Sequence, residues 1–314
     1  MKGTPIRARF AACCAAVLAL GGCSQSASVI VPASPSHLYV SDFFGGFEGF
    51  ATPLGPSSTA AASQIFTGGA AGAAVDSTGD FYTDDPSSVF VYAPPVASAS
   101  TPVQTIPIAG ALNLFGIAFD KTGGLYVADA NPFAIYFFPK PYAAPPTTTF
   151  SGPPPFQPTL ITFGPDGDLY ISNFTGSAID VFHPPFTPGV NTPTGIIAIT
   201  KSPPFGVKFD SSGRLVVGLV DGELAVFNGP FATGALPAFY VPPPTINGAA
   251  ASDAGGMTID SSGDFIVPYG SNGGSDNGLH AGVAVFAQPL NASSVPLFVF
   301  QGGLIQPVAA AFGK

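Results

Sequence analysis

Short apolar runs of strand length, each cut off by a turn rich in Gly, Asp or Pro, fill the chain from residue 37 to its end. Gly116 to Pro141, GIAFDKTGGLYVADANPFAIYFFPKP, shows the unit most clearly. GIAF, LYVAD and AIYFF are the runs; DKTGG separates the first pair and the Pro-containing loop ANP the second. Runs of this length, rich in β-branched and aromatic residues and bounded by Gly, Pro and Asp, predict strands. A short Gly-containing turn between two of them predicts a hairpin. Few runs alternate strictly between apolar and polar positions, so both faces of these strands are expected to be covered.

The unit recurs along the chain. Its second run is LYVSD (Leu38–Asp42), FYTDD (Phe81–Asp85), LYVAD (Leu125–Asp129), LYISN (Leu169–Asn173), LVVG (Leu215–Gly218) and FIVP (Phe265–Pro268), with starts 43, 44, 44, 46 and 50 residues apart. Before every copy but the first stands a strand with its turn: GAAVDSTGD, GIAFDKTGG, LITFGPDGD, GVKFDSSGR and GMTIDSSGD. A third run follows each copy, and a lone fourth comes after a Pro-rich link. Four strands per period of about 45 residues, repeated around a ring, is the signature of a β-propeller. The first copy lacks its first strand, and the C-terminal PVAAAFGK has the form of that strand without a second. The predicted fold is all-β: a six-bladed β-propeller with four-stranded blades, closed by pairing of the N- and C-terminal strands in one blade. Closure of that kind leaves no exposed sheet edge at the ends.

The G-x-x-x-D-x-x-G-x-[LF]-[YIV]-[VIT] unit resembles that of the NHL-repeat family and its six-bladed relatives, over residues 37–314. The likeness departs in the third strand. NHL repeats carry Asn and Arg or His before the apolar run, and here the place holds Ser88, Phe133, Ser177 or Gly222.

The N-terminus has a different pattern. Lys2, Arg7 and Arg9 precede an apolar run from Phe10 to Leu20, then Leu20-Gly21-Gly22-Cys23. That run is too short to span a bilayer and reads as an export signal. Leu-Gly-Gly-Cys resembles the bacterial lipobox. Residues 1–22 are therefore expected to be a lipoprotein signal peptide, Cys23 the lipidated residue, and 23–36 a Ser-, Ala- and Pro-rich tether. The expected address is the bacterial cell envelope. Ser24 after the cysteine resembles the outer-membrane sorting pattern of Gram-negative lipoproteins.

This reading leaves the mature chain no free thiol, since Cys13 and Cys14 leave with the signal. Disulfides, thiolate zinc sites and cysteine nucleophiles are excluded with them. Six basic residues then face 18 acids, a formal charge of −12, and no basic stripe remains for nucleic acid. The membrane is expected as a partner through the N-terminal lipid alone.

Candidate chemistry is sparse. Asp76, Asp120, Asp210 and Asp260 each stand three residues before a Gly, and read as hairpin-turn acceptors rather than calcium loops. Asp42, Asp84, Asp129 and Asn173 end second strands. A hard cation such as Ca²⁺ would suit a ring of such oxygens, but Gly218 and Pro268 interrupt it, so no cofactor is assigned. Blade six is irregular: Pro268–Gly282 is a long polar loop and Asn247–Gly256 a polar link, and both emerge on one face. Asp253, Asn272, Asp276, Asn277 and His280 are the candidate ligand-binding residues there, since insertions on a rigid scaffold often carry binding. The same face is expected to be rich in Phe: Phe43, Phe44, Phe47, Phe115, Phe133, Phe156, Phe174 and Phe205, with Phe133 and Phe174 taken as ligand contacts.

These features point to a binding module that meets a small ligand, a glycan or an envelope protein through its loop face. The alternative is an enzyme resembling the gluconolactonase-type six-bladed hydrolases, which hold a metal through a Glu, two Asn and an Asp, or a propeller lyase with a catalytic His. Asn173, Asp253, Glu48 and His280 are what this chain offers to those two sets, and no catalytic residue is assigned.

Overall fold

The computed structural model describes residues 37–65, 69–271 and 275–313. Residues 1–36, where the signal peptide, lipidated Cys23 and tether are expected, lie outside the described residues, as does Asn272. What is described is an all-β, six-bladed β-propeller whose blades are built on four strands.

From the axis outward, blade one pairs Pro307–Gly313, His37–Asp42, Gly46–Ala51 and Ala60–Ile65. The two ends of the described chain meet in it, with Leu38 opposite Phe312 and Val40 opposite Ala310. Blades two to five start from the inner strands Ala73–Val75, Leu114–Phe119, Pro158–Phe163 and Pro204–Phe209. In blade six the inner strand is broken into Ser252–Ala254 and Thr258–Ile259, both against Phe265–Gly270. Two extra pieces decorate the ring. Gly189–Val190 adds a parallel strand outside blade three, and Thr245–Ile246 forms a small hairpin with Ala249–Ala250.

The second strands are buried on both faces, as the unbroken apolar runs require: Leu125–Asp129, Leu169–Asn173 and Leu215–Leu219 are buried at every residue. Their side chains fill the wedges between blades. Tyr82, Ile106, Ile117, Val127 and Phe138 fill one of these, between blades two and three. Each such side chain contributes about 1.5–3 kcal/mol on burial.

Hairpins between first and second strands are held by the repeated aspartates. Asp120 Oδ1 accepts the amides of Thr122 and Gly124 at 2.8 and 2.9 Å, while Gly123 takes φ +83°. Asp76, Asp210 and Asp260 do the same in their own turns.

The first Gly of the repeat sets the diameter of the ring. A Cβ on Gly206 would stand 1.9 Å from the Gly255 carbonyl oxygen, and one on Gly116 2.5 Å from that of Thr159. Inner strands of neighbouring blades therefore touch backbone to backbone. Between blades six and one they bond in parallel, Gly256 N–H donating to Val308 at 2.6 Å.

Candidate functional site

Inner strands run from the links that follow fourth strands to the hairpins that lead into second strands. The links and the second-to-third hairpins thus share one end of the axis, the loop face. The first-to-second hairpins share the other, the turn face, with the Pro-rich links.

On the loop face, residues at the ends of second strands hold the incoming link of their own blade. Asp42 accepts the amides of Phe44, Ile305 and Gln306. Asp84 accepts those of Ala71 and Gly72 at 2.8 and 3.0 Å, Oδ2 also meeting Gly72 at 3.1 Å. Asp129 takes Leu112, Asn113 and Asn131 together with the Tyr136 hydroxyl. Asn173 accepts from Gln157 and Gly176 and donates to Pro155 and Asp180. Burial raises the pKa of Asp84 to about 6 against the pull of its amides, and burial likewise raises Asp129 and Asp180. The register refines the sequence alignment at two places. Leu219 opposite Pro204 and Tyr269 opposite Ala254, rather than Gly218 and Pro268, take the place that Asp129 holds opposite Leu114. The oxygen ring is interrupted in those blades all the same.

Between these clamps the mouth of the axis is aromatic. Phe43, Phe44, Phe115, Phe174, Phe205 and Val220 line a pocket of about 240 Å³, with Asp253, Gln306 and Val308 completing it. The rings touch edge to face: Phe43 and Phe44 at 5.5 Å, Phe115 and Phe205 at 5.6 Å. Phe44 is the most open, at 54% exposed. Beneath, Ala71, Leu160, Phe205, Val308 and Ala309 form a buried plug across the axis.

Three of the expected aromatics lie elsewhere. Phe47 is buried between blades one and two, and Phe156 in the core shared by blades three and four. Phe133 is exposed on its hairpin at φ +69° and takes no part in the pocket.

The blade-six residues divide. Asp253, at φ +51°, lines the pocket, and its Oδ2 accepts the Gln306 side-chain amide at 3.1 Å. Gln306 Oε1 in turn accepts the Ser271 amide at 3.0 Å. Sequence reasoning missed Gln306, which joins the mouth to the base of the polar loop. Asp276 and His280 pair with each other, away from the pocket, and Asn277 is exposed beside them at φ +55°. Burial acts to raise Asp276, but the Ser271 hydroxyl and His280 outweigh it and hold the carboxyl below its usual range. The end of the loop is pinned at Leu279, whose carbonyl accepts from both Asn247 Nδ2 and Gln301 Nε2.

Among the described residues no three of His, Cys, Asp and Glu come together as a cation site. Asn173 spends its amide on four neighbours, and Glu48 accepts from Ser63 out on the third strand of blade one. Among the described residues, Glu48 and Asn173 are thus not brought together as the Glu, Asn, Asn, Asp metal set of gluconolactonase-type propellers would require. Among the described residues, His183 and His280 each set a ring nitrogen against an aspartate, Asp168 and Asp276, rather than against a serine.

No protein-family model matches the chain, and no curated protein matches it in sequence. Solved structures do. A protein of unknown function from Bacteroides caccae superposes with TM-score 0.68 at 11% identity, over 90% of this chain and 100% of its own. The periplasmic gluconolactonase of Pseudomonas aeruginosa gives 0.57 at 11% identity, over 88% and 99%. A chain of the nidogen/laminin complex gives 0.60 at 15% identity, over 88% and 98%. At such identities the likeness is one of fold: this chain has the architecture of a six-bladed propeller, a scaffold that carries unrelated functions.

Proposed function

We propose that the protein is a lipid-anchored module of the bacterial envelope that binds a small ligand through the aromatic mouth of the loop face. The observation that carries this reading is the concave cluster of five phenylalanines at the axis, ringed by polar groups already committed to the backbone. A pocket of that kind suits a ligand presenting an apolar ring or chain, oriented at its edge by Asp253 and Gln306. The lipobox at Leu20–Cys23 supports the anchor, and Ser24 supports the outer membrane where the host is Gram-negative.

A neutral apolar dye, N-phenyl-1-naphthylamine, tests the mouth by its fluorescence on the full chain. Replacing Phe44 and Phe174 together by Ala is expected to weaken binding by about tenfold or more, each ring being worth about 1.5–3 kcal/mol when covered. Unchanged binding in a folded double variant would remove the mouth as the site. Cys23→Ser is expected to release the protein from the membrane fraction; a variant that stays there would refute the lipid anchor.

A further inference from the structure

The axis holds a second cavity on the turn side of the plug. It measures about 440 Å³, within the usual size of small-molecule sites, and every inner strand lines it. The third position of each repeat forms a ring around it: Ala311, Ala74, Ala118, Thr162, Lys208 and Thr258, in blades one to six. One lysine thus stands between two threonines, with three alanines across from it.

Lys208 has no ion pair and its ammonium no hydrogen bond among the described residues, and no carboxylate lines the cavity. Lys140, Lys201 and Arg214 are each matched with an acid, Asp76, Glu223 and Asp210, while Lys121 sits on an exposed turn. The hydroxyls of Thr162 and Thr258 likewise meet no protein partner there. Lys208 is half-buried in the cavity wall, and partial loss of its water with no counter-ion beside it holds its pKa below the usual lysine range. The other lining side chains include the aliphatics Ile117, Ile161 and Val207, with polar backbone atoms of the inner strands open between them. Residues at the strand ends, such as Phe119, Phe163 and Phe312, are half-buried, whereas the plug is buried, so the cavity opens on the turn face.

We propose that this cavity binds a small organic monocarboxylate. Lys208 takes the carboxylate, Thr162 and Thr258 donate to its oxygens, and an apolar body fills the space beside Ala74, Ala118 and Ala311. A lysine is a compact point charge suited to a single carboxylate, and the three alanines across the ring leave room for an organic body beside it. The site is independent of the mouth on the loop face.

Calorimetric titration of the full chain with 3-phenylpropionate tests it, with hexanoate and the neutral 3-phenylpropionamide beside it. Saturable binding of an acid is expected, weakened about tenfold or more in Lys208→Met and for the amide, as loss of a charged hydrogen bond requires. Thr162→Val with Thr258→Val is expected to weaken it about threefold or more, which keeps the test open should Lys208→Met fail to fold. Phe174→Ala is expected to leave it unchanged, separating this cavity from the mouth. Equal affinity for acid and amide, full binding in a folded Lys208→Met, or no saturation by either acid up to about 10 mM would overturn the proposal.

Discussion

Asp84 offers a direct test of how the loop-face carboxylates act. Its side chain is buried and accepts two backbone amides of the incoming link. Burial raises its pKa to about 6; the Ala71 and Gly72 amides oppose the rise and Asp85 adds to it. In the unfolded chain an aspartate titrates near 3.9. Between about pH 4 and pH 6 the folded protein therefore keeps a proton that the unfolded chain has lost, so stability falls as pH rises through that window and is level above it. A shift of about two units is worth about 3 kcal/mol. Asn at this position keeps the carbonyl acceptor and never ionises. Denaturant unfolding at pH 4.5 and 7.5 is the assay, read as the difference between wild type and Asp84→Asn. That difference matters because Asp129 and Asp180 are raised as well, while Asp76 and Asp276 are lowered. The substitution is expected to remove about 2 kcal/mol of the wild-type fall in stability between the two pH values, the part of the full shift that lies above pH 4.5, and to leave the protein at least as stable at pH 7.5. A variant that keeps the whole pH dependence, or loses stability at pH 7.5, would refute the reasoning.

Two further substitutions probe the ring. Asp42→Ala strands the amides of Phe44, Ile305 and Gln306 beside the closing strand and is expected to cost about 3 kcal/mol, with hydrogen exchange rising first in Pro307–Gly313. Equal exchange in all blades would count against that role. Gly206→Ala drives a methyl into the Gly255 carbonyl, whereas Gly213→Ala meets open space and suffers from φ +76° alone. The expected costs are about 3 and about 1 kcal/mol respectively, and the reverse order in urea melts would sink the backbone-contact account of the ring.

Local patterns carried most of the fold in the sequence. The turn aspartates were legible because acceptor, amides and Gly lie within five residues of one another. Contacts between repeats were not legible in the same way. Phe47 and Phe156 sit in sequence beside the loop face, but the alternation along Gly46–Ala51 turns Phe47 into the core, and Phe156 packs inward from the link before Pro158–Phe163. Asp276, Asn277 and His280 share a loop with the base of the mouth, yet their own pairing and turn geometry hold them away from it. Gln306 carried no signal, lying in a link without a repeated pattern. Lys208 stands at an open position of the motif, and its isolation shows once the six repeats are placed in a ring with Thr162 and Thr258 beside it.

On the loop face, the oxygens at the ends of second strands hold backbone rather than a cation, which leaves ligand binding there to the aromatic mouth. A thermal melt of the full chain in excess Ca²⁺ and then in EGTA, with Mg²⁺, Mn²⁺ and Zn²⁺ run alongside, tests it most directly. A cation at 100 times its dissociation constant would stabilise by about 2.7 kcal/mol, or about 5 °C for a domain of this size. The account expects the same melting temperature in every cation as in chelator. A rise of that size with any one of them would contradict it and move a metal-dependent hydrolase to the front.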